Sequence, residues 1–238
     1  MAGMIGAGKS TYTEMISRRL GTEAFFESVD YNPILDKFYD NPQKWAFSLQ
    51  IYFLNTRFRS IKAALTDDNN VLDRSIYEDA LFTRVNHLQG NISQEEMDIY
   101  NDLLANMMEE LEGMPKKAPD LLIYLDGSFE TILDHIRKRG REFEQIEDDS
   151  ELLAYYELLF KNYEQWYQEY DQSPKIKINI DTFDIVNNSG DEEQVTILAG
   201  EGDIGGPRFG NGNVGKAPAG LVEDGHSFAG EIDIAFGI

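Results

Sequence analysis

Apolar positions in this chain alternate between two kinds of run, short blocks and longer stretches at helical spacing, and the alternation sets the elements. Residues 11–20 carry apolar side chains on one face and Gly21 can close the turn, which predicts a helix. Residues 24–29 read as a strand running into a loop that Asn32-Pro33 breaks. A short helix over 35–39 follows. Asn41-Pro42 then opens a long helix to about residue 65, apolar at Trp45, Leu49, Tyr52, Phe53 and Ile61. After a polar turn at 67–70, Val71-Leu72 is a short strand ending on Asp73-Arg74-Ser75, and a helix covers 76–88. Ser93-Gln94-Glu95-Glu96 is a capping box that starts a helix to about residue 111. Residues 121–125 are an uninterrupted apolar run ending in Asp126, the pattern of a strand buried on both faces. Ser128 caps a helix to Arg139, an acidic loop follows, and an aromatic-rich helix reaches about Tyr170. Residues 175–180 alternate as a last strand. Strands and helices in this alternation specify a three-layer α/β fold around a parallel sheet.

The pattern changes near residue 186. Residues 187–238 hold 12 of the 20 glycines with little periodicity, so the expected division is a folded domain over 1–186 and a Gly-rich, poorly ordered extension over 187–238. Within the extension, residues 231–236 alternate and are a candidate strand.

Composition narrows the functional classes. The 21 basic and 43 acidic residues give a net charge of −22, which argues against a nucleic-acid-binding surface but leaves room for a cationic cleft holding an anionic nucleotide. The chain has no cysteine, hence no disulfide framework and no thiolate metal site. No apolar run is long enough to span a membrane, and the start lacks the order of a signal peptide, so an intracellular, cytoplasmic setting is expected.

Gly3-Met4-Ile5-Gly6-Ala7-Gly8-Lys9-Ser10 satisfies G-x-x-x-x-G-K-[ST] at every fixed position. Glycines let backbone N–H groups turn inward toward phosphate oxygens, Lys9 adds a charge for the outer phosphates, and Ser10 offers a hydroxyl to Mg²⁺. The helix that begins here aims its positive end at the same anion. ATP contacts are therefore expected from Gly3, Met4, Ile5, Gly6, Ala7, Gly8, Lys9, Ser10 and Thr11. Such a loop ordinarily follows a buried strand. Only Met1-Ala2 precede it, so the first strand is expected to be truncated, or its place filled by another segment, residues 231–236 being the candidate.

Charged residues at other strand ends can meet this loop, because ligands of parallel α/β sheets bind beyond the carboxyl ends of the strands. Glu27, Asp73-Arg74 and the cations around Arg139 qualify.

Phe26-Glu27-Ser28-Val29, the run Tyr39…Trp45…Gln50…Arg57, residues 73–79 and Arg139-Gly140-Arg141-Glu142-Phe143-Glu144-Gln145 together resemble the deoxyribonucleoside kinase family, in its bacterial deoxyadenosine/deoxyguanosine kinase branch. The resemblance covers roughly residues 3–181. It implies a three-layer α/β/α phosphate-loop kinase fold, a homodimer, and ATP-dependent phosphorylation of a deoxynucleoside 5′-hydroxyl with Mg²⁺. It implies that Glu27 lies beside that hydroxyl and that Arg74 contacts the hydroxyl region and the phosphates. Asp73 is then the base or, with Ser10, a Mg²⁺ support; the roles of Asp73 and Glu27 stay open at this point. Tyr39 and Glu144 match the pair that reads the sugar 3′-hydroxyl. Gln50 matches the side chain that contacts the base, although an exposed helix glutamine is the plainer account of it. Arg57 and Asp79 match the charged pair near the base, which points to purine deoxynucleosides. Arg137, Arg139 and Arg141 resemble the lid over the ATP phosphates, with His135 where another arginine is usual and Phe143 where an acid is usual. Two other readings compete. A thymidylate-type nucleoside monophosphate kinase shares loop and fold but needs a basic grip on an acceptor phosphate. A catalytically impaired nucleotide-binding remnant fits the short first strand and the tail, since 189 onward does not resemble the family's closing helix.

Overall fold

The computed structural model describes residues 1–27, 32–65, 70–112, 118–147 and 149–202. Among these, β1 (Ala2–Gly3) leads through a glycine loop into α1 (Lys9–Leu20). Then come β2 (Ala24–Phe25), α2 (Leu35–Asp40), α3 (Pro42–Ala64) and β3 (Val71–Leu72). A 3₁₀ turn over Ile76–Glu78 enters α4 (Asp79–Leu88), followed by α5 (Gln94–Glu112), β4 (Leu122–Asp126) and α6 (Phe129–Arg139). Another 3₁₀ turn over Glu142–Glu144 precedes α7 (Ser150–Glu169), β5 (Lys175–Asn179) and α8 (Ser189–Gly202).

All strand pairs are parallel: β2 beside β3, and β1, β4, β5 in that order. Met1 N donates to Leu72 O at 2.7 Å, which brings the β2–β3 pair alongside the β1-β4-β5 sheet at β1. β1 has two residues, in register with Tyr124 and Leu125 of β4. β4 is buried from Leu122 to Leu125, as its unbroken apolar run requires, and half-buried at Asp126. One helical layer is α1 with α8, packed on β2, β3 and β5. Against β4, the Tyr124 ring stacks on Tyr163 and Tyr167 of α7, with centroids 6.0 and 4.8 Å apart, and α7 in turn packs on α4. No helix among the described residues is long and apolar enough to cross a membrane.

Three expectations differ from what is observed. The helix over 76–88 is split, because the Ser75 hydroxyl accepts from Tyr77 N and tightens the first turn. The β2 strand ends at Phe25, and Ser28 and Val29 lie outside the described residues. The reading that 189 onward does not resemble a closing helix is corrected by α8. Asn188 accepts from Gly190 N at 2.9 Å, Asp191 and Glu192 suit the positive end of the helix, and Val195 is completely buried. Glu192 also pairs with Arg18 (2.9 Å) and Arg19 (3.0 Å) of α1. Its glycines hid this helix; tertiary packing outweighs their propensity cost. Residues 203–238, including the candidate strand at 231–236, lie outside the described residues.

Candidate active site

The glycine loop is shaped by its own geometry. Gly6 and Gly8 both hold φ at 86°, which L side chains rarely adopt, and a Cβ on Gly6 would meet Ile132 O at 2.8 Å. The loop thereby lies directly on α6. His135 of α6 adds a hydrogen bond between Nδ1 and Gly6 O at 2.9 Å. Lys9 Nζ donates to Gly3 O (2.8 Å) and Met4 O (2.9 Å), so those two residues hold the lysine, while Ile5 through Thr11 line a cavity of about 890 Å³. Burial, with Arg74 nearby, lowers the Lys9 pKa from the ordinary 10.5 to about 8.

Ser10 Oγ donates to Asp73 Oδ2 at 2.5 Å, joining the start of α1 to the end of β3. The other Asp73 oxygen, Oδ1, is buried without a hydrogen-bond partner. The next residue, Arg74, adopts φ 87°, a left-handed conformation that costs a non-glycine residue about 1–3 kcal/mol and persists only where surroundings over-determine it. Its guanidinium meets Glu27 through Nε at 3.2 Å, Tyr163 Oη at 2.9 Å, Gly3 O at 3.5 Å and the Glu78 carboxylate in close contact. The Phe82 ring lies beneath it, 4.6 Å away.

Glu27 stands at the end of β2 between Arg74 and Arg57, and Arg57 of α3 also pairs closely with Asp79 at the start of α4. Burial alone would raise the Glu27 carboxyl, but Arg74 and Arg57 beside it hold it at about 2. Burial likewise disfavours the Arg57 charge and lowers its pKa, whereas Glu27, Tyr163 and Glu78 outweigh burial at Arg74 and raise it. Asp79 Oδ2 is buried without a hydrogen-bond partner, and Gln50, about two turns before Arg57 on α3, is 3 % exposed. Gln50 is therefore no exposed helix glutamine; it faces the same cavity as Arg57 and Asp79.

Tyr39 and Glu144 also line that cavity. The Tyr39 ring lies 5.0 Å from Phe143, and burial raises its hydroxyl pKa well above the ordinary value. Glu144 accepts from Arg139 at 2.5 Å and from Arg141 at 3.4 Å. Arg139, Arg141 and Lys138 line the cavity, but Arg137 does not. It pairs instead with Asp134 (2.8 Å) and Glu147 (3.6 Å) on the surface, since the last turn of α6 can turn only part of its basic residues toward the loop. Its expected ATP contact is not part of the observed arrangement.

Lys9, Ser10, Glu27, Tyr39, Gln50, Arg57, Asp73, Arg74, Asp79, Arg139, Arg141 and Glu144 thus share one cavity. Sequence reasoning placed His135 only as a departure from the lid pattern, and gave no site role to Glu78 and Tyr163 behind Arg74 or to residues 183–187, which form the wall beyond β5. Glu78 carried a usable signal, a second acid beside Asp79 at the start of a helix; Tyr163, in an aromatic-rich helix, carried none. Walls of Phe26, Phe38, Leu49, Phe53 and Phe82 complete an enclosure able to take a flat apolar ring with polar edges. Both arginines on this side, Arg57 and Arg74, are already matched with carboxylates, which disfavours an acceptor phosphate there.

Comparison with known proteins agrees with this geometry. The deoxynucleoside kinase family model matches residues 1–199. A deoxyguanosine kinase of Lactobacillus johnsonii is 56 % identical over 195 residues, covering 82 % of this chain and 87 % of the relative. A deoxyadenosine kinase of Lactobacillus acidophilus is 49 % identical, covering 82 % and 91 %. A solved structure of deoxyadenosine kinase from M. mycoides with bound dATP superposes with a TM-score of 0.70 at 33 % identity, covering 83 % of this chain and 96 % of that one. With a phosphate loop, paired acid–arginine strand ends and an aromatic enclosure in one cavity, and with relatives of this likeness, the chain belongs to the deoxynucleoside kinase family.

Proposed function

We propose that the protein transfers the γ-phosphoryl group of ATP to the 5′-hydroxyl of a purine deoxynucleoside, deoxyguanosine or deoxyadenosine. The observation that carries this reading is the single cavity that joins the phosphate loop to the Glu27–Arg74–Arg57–Asp79 network. The purine preference is supported by the names of the relatives and by the Gln50–Arg57–Asp79 cluster, whose amide and unpartnered carboxylate oxygen offer donor and acceptor to a base edge.

Two observations support a division of roles between the two acids. Asp73 is within 2.5 Å of Ser10 Oγ and has a free buried oxygen, an all-oxygen donor set that fits a hard cation bound chiefly through phosphate oxygens. Ser10 and Asp73 would hold Mg²⁺ there, and the ion would supply charge neutralisation to the phosphates. Glu27, at a pKa of about 2, is an ionised acceptor across the working pH range. Its part is to accept the hydrogen bond of the 5′-hydroxyl and aim it, which suffices because phosphoryl transfer through a loose transition state demands positioning more than base strength. Arg74, with Lys9 and the lid cations Arg139 and Arg141, stabilises the charge that spreads over the transferred group. ADP release measured with each deoxynucleoside and each deoxynucleoside monophosphate in turn tests the reading. Turnover with deoxyguanosine or deoxyadenosine supports it. Turnover with monophosphates alone overturns it in favour of a monophosphate kinase, and ATP binding without any ADP release favours the impaired remnant.

A further inference from the structure

Glu78 and Tyr163 stand behind Arg74, and neither lines the cavity. Glu78 is completely buried and Tyr163 is 1 % exposed. A carboxylate so placed is costly unless it is paired and hydrogen-bonded. Here the pairing closes a triangle. Arg74 Nη1 donates to Tyr163 Oη at 2.9 Å, Tyr163 Oη donates to Glu78 Oε1 at 3.0 Å, and that same oxygen receives Arg74 Nη1 in close contact. The tyrosine hydroxyl uses one donor and one acceptor function within the triangle. Three elements supply it: the turn after β3, the 3₁₀ turn before α4, and α7. The backbone at Arg74, held at φ 87°, directs the side chain into this frame.

We infer that Glu78 and Tyr163 are positioning residues for Arg74, holding its guanidinium in place and sharing its charge so that Glu27 stays available to the acceptor hydroxyl. The inference rests on the proposed 5′-hydroxyl phosphorylation. Arg74 lies between two acids, Glu27 on the cavity side and Glu78 behind. While Glu78 carries charge, Glu27 need not neutralise Arg74 alone. With glutamine at position 78, Arg74, already 3.2 Å from Glu27, is drawn closer to it, takes up more of the accepting capacity the hydroxyl needs and leaves the position from which it meets the phosphoryl group. Such a loss falls on the transition state rather than on ground-state binding.

The test is steady-state kinetics of the full chain with Mg-ATP and the best deoxynucleoside, for Glu78→Gln and Tyr163→Phe, each alone and combined with Arg74→Lys. Glu78→Gln is expected to lower kcat by about 30-fold or more, and Tyr163→Phe by about 3- to 10-fold, with both KM values within about threefold. In the Arg74→Lys background each loss is expected to shrink below about twofold, because the frame then has nothing of that shape to hold. A merely structural role instead gives the same fold-loss with and without Arg74. That outcome overturns the inference, as does kcat within about twofold of wild type in either variant. Where Glu78→Gln lacks a cooperative thermal transition, Tyr163→Phe, which keeps the carboxylate, decides by the same criteria. Absence of product from wild type with every deoxynucleoside overturns the parent reading, and is seen before any variant is made.

Discussion

Phosphate binding should draw a proton onto Lys9. The ammonium is buried, 7 % exposed, and desolvation together with Arg74 brings its pKa from 10.5 to about 8. That shift corresponds to about 3 kcal/mol of differential destabilisation of the charged form. Phosphate oxygens within bonding reach favour the charged form and raise the pKa again. The sign follows: the bound pKa exceeds the free one, so affinity for ATP is full below the free pKa and falls as pH rises through it. With a free pKa of about 8, the neutral fraction is roughly 0.1 at pH 7 and roughly 0.75 at pH 8.5, and binding takes up those fractions of a proton. Between pH 7 and pH 9 the affinity should drop about tenfold. Calorimetric titration of Mg-ATP at pH 8.5 in two buffers of different ionisation enthalpy reads the uptake directly. Lys9→Met should bind weakly and without this proton. Uptake below about 0.2 proton at pH 8.5, or the same uptake in Lys9→Met, would refute the reasoning.

Other outcomes follow from the same contacts. Gln50→Leu should raise the nucleoside KM by about tenfold or more while leaving the KM for ATP within about twofold, measured by varying each substrate in turn. Arg139→Gln should lower kcat/KM for ATP by about 10- to 100-fold, whereas Arg137→Gln, whose partner acids lie on the surface, should stay within about threefold in the same assay. Leu159→Ala, at a completely buried position of α7, should cost about 3 kcal/mol, read as a shift in the urea midpoint.

Much of the fold was legible because its signals are local. The apolar run of β4, the capping box before α5 and the Pro at the start of α3 each mark an element through its own residues. The phosphate loop was legible for the same reason, since its glycines answer backbone demands visible in one short stretch. Helix α8 was not, because its stability comes from Val195 packing and from Glu192 reaching Arg18 and Arg19, 174 and 173 residues away. The site residues behind Arg74 were hidden likewise. Tyr163 follows the helical spacing of a core residue, and only the fold reveals that its hydroxyl bridges two charges. Among Arg137, Arg139 and Arg141, sequence could not tell which faces inward; the Asp134 and Glu147 carboxylates decide it for Arg137.

The central claim is that Glu27 receives a nucleoside hydroxyl in the same cavity where the loop holds ATP. Glu27→Gln, assayed with Mg-ATP and deoxyguanosine or deoxyadenosine and with the product identified as the 5′-monophosphate, tests it most directly. The expected result is a kcat lowered by about 100-fold or more, with nucleoside binding retained within about fivefold. Turnover within about threefold of wild type, or a product phosphorylated elsewhere on the sugar, would contradict it.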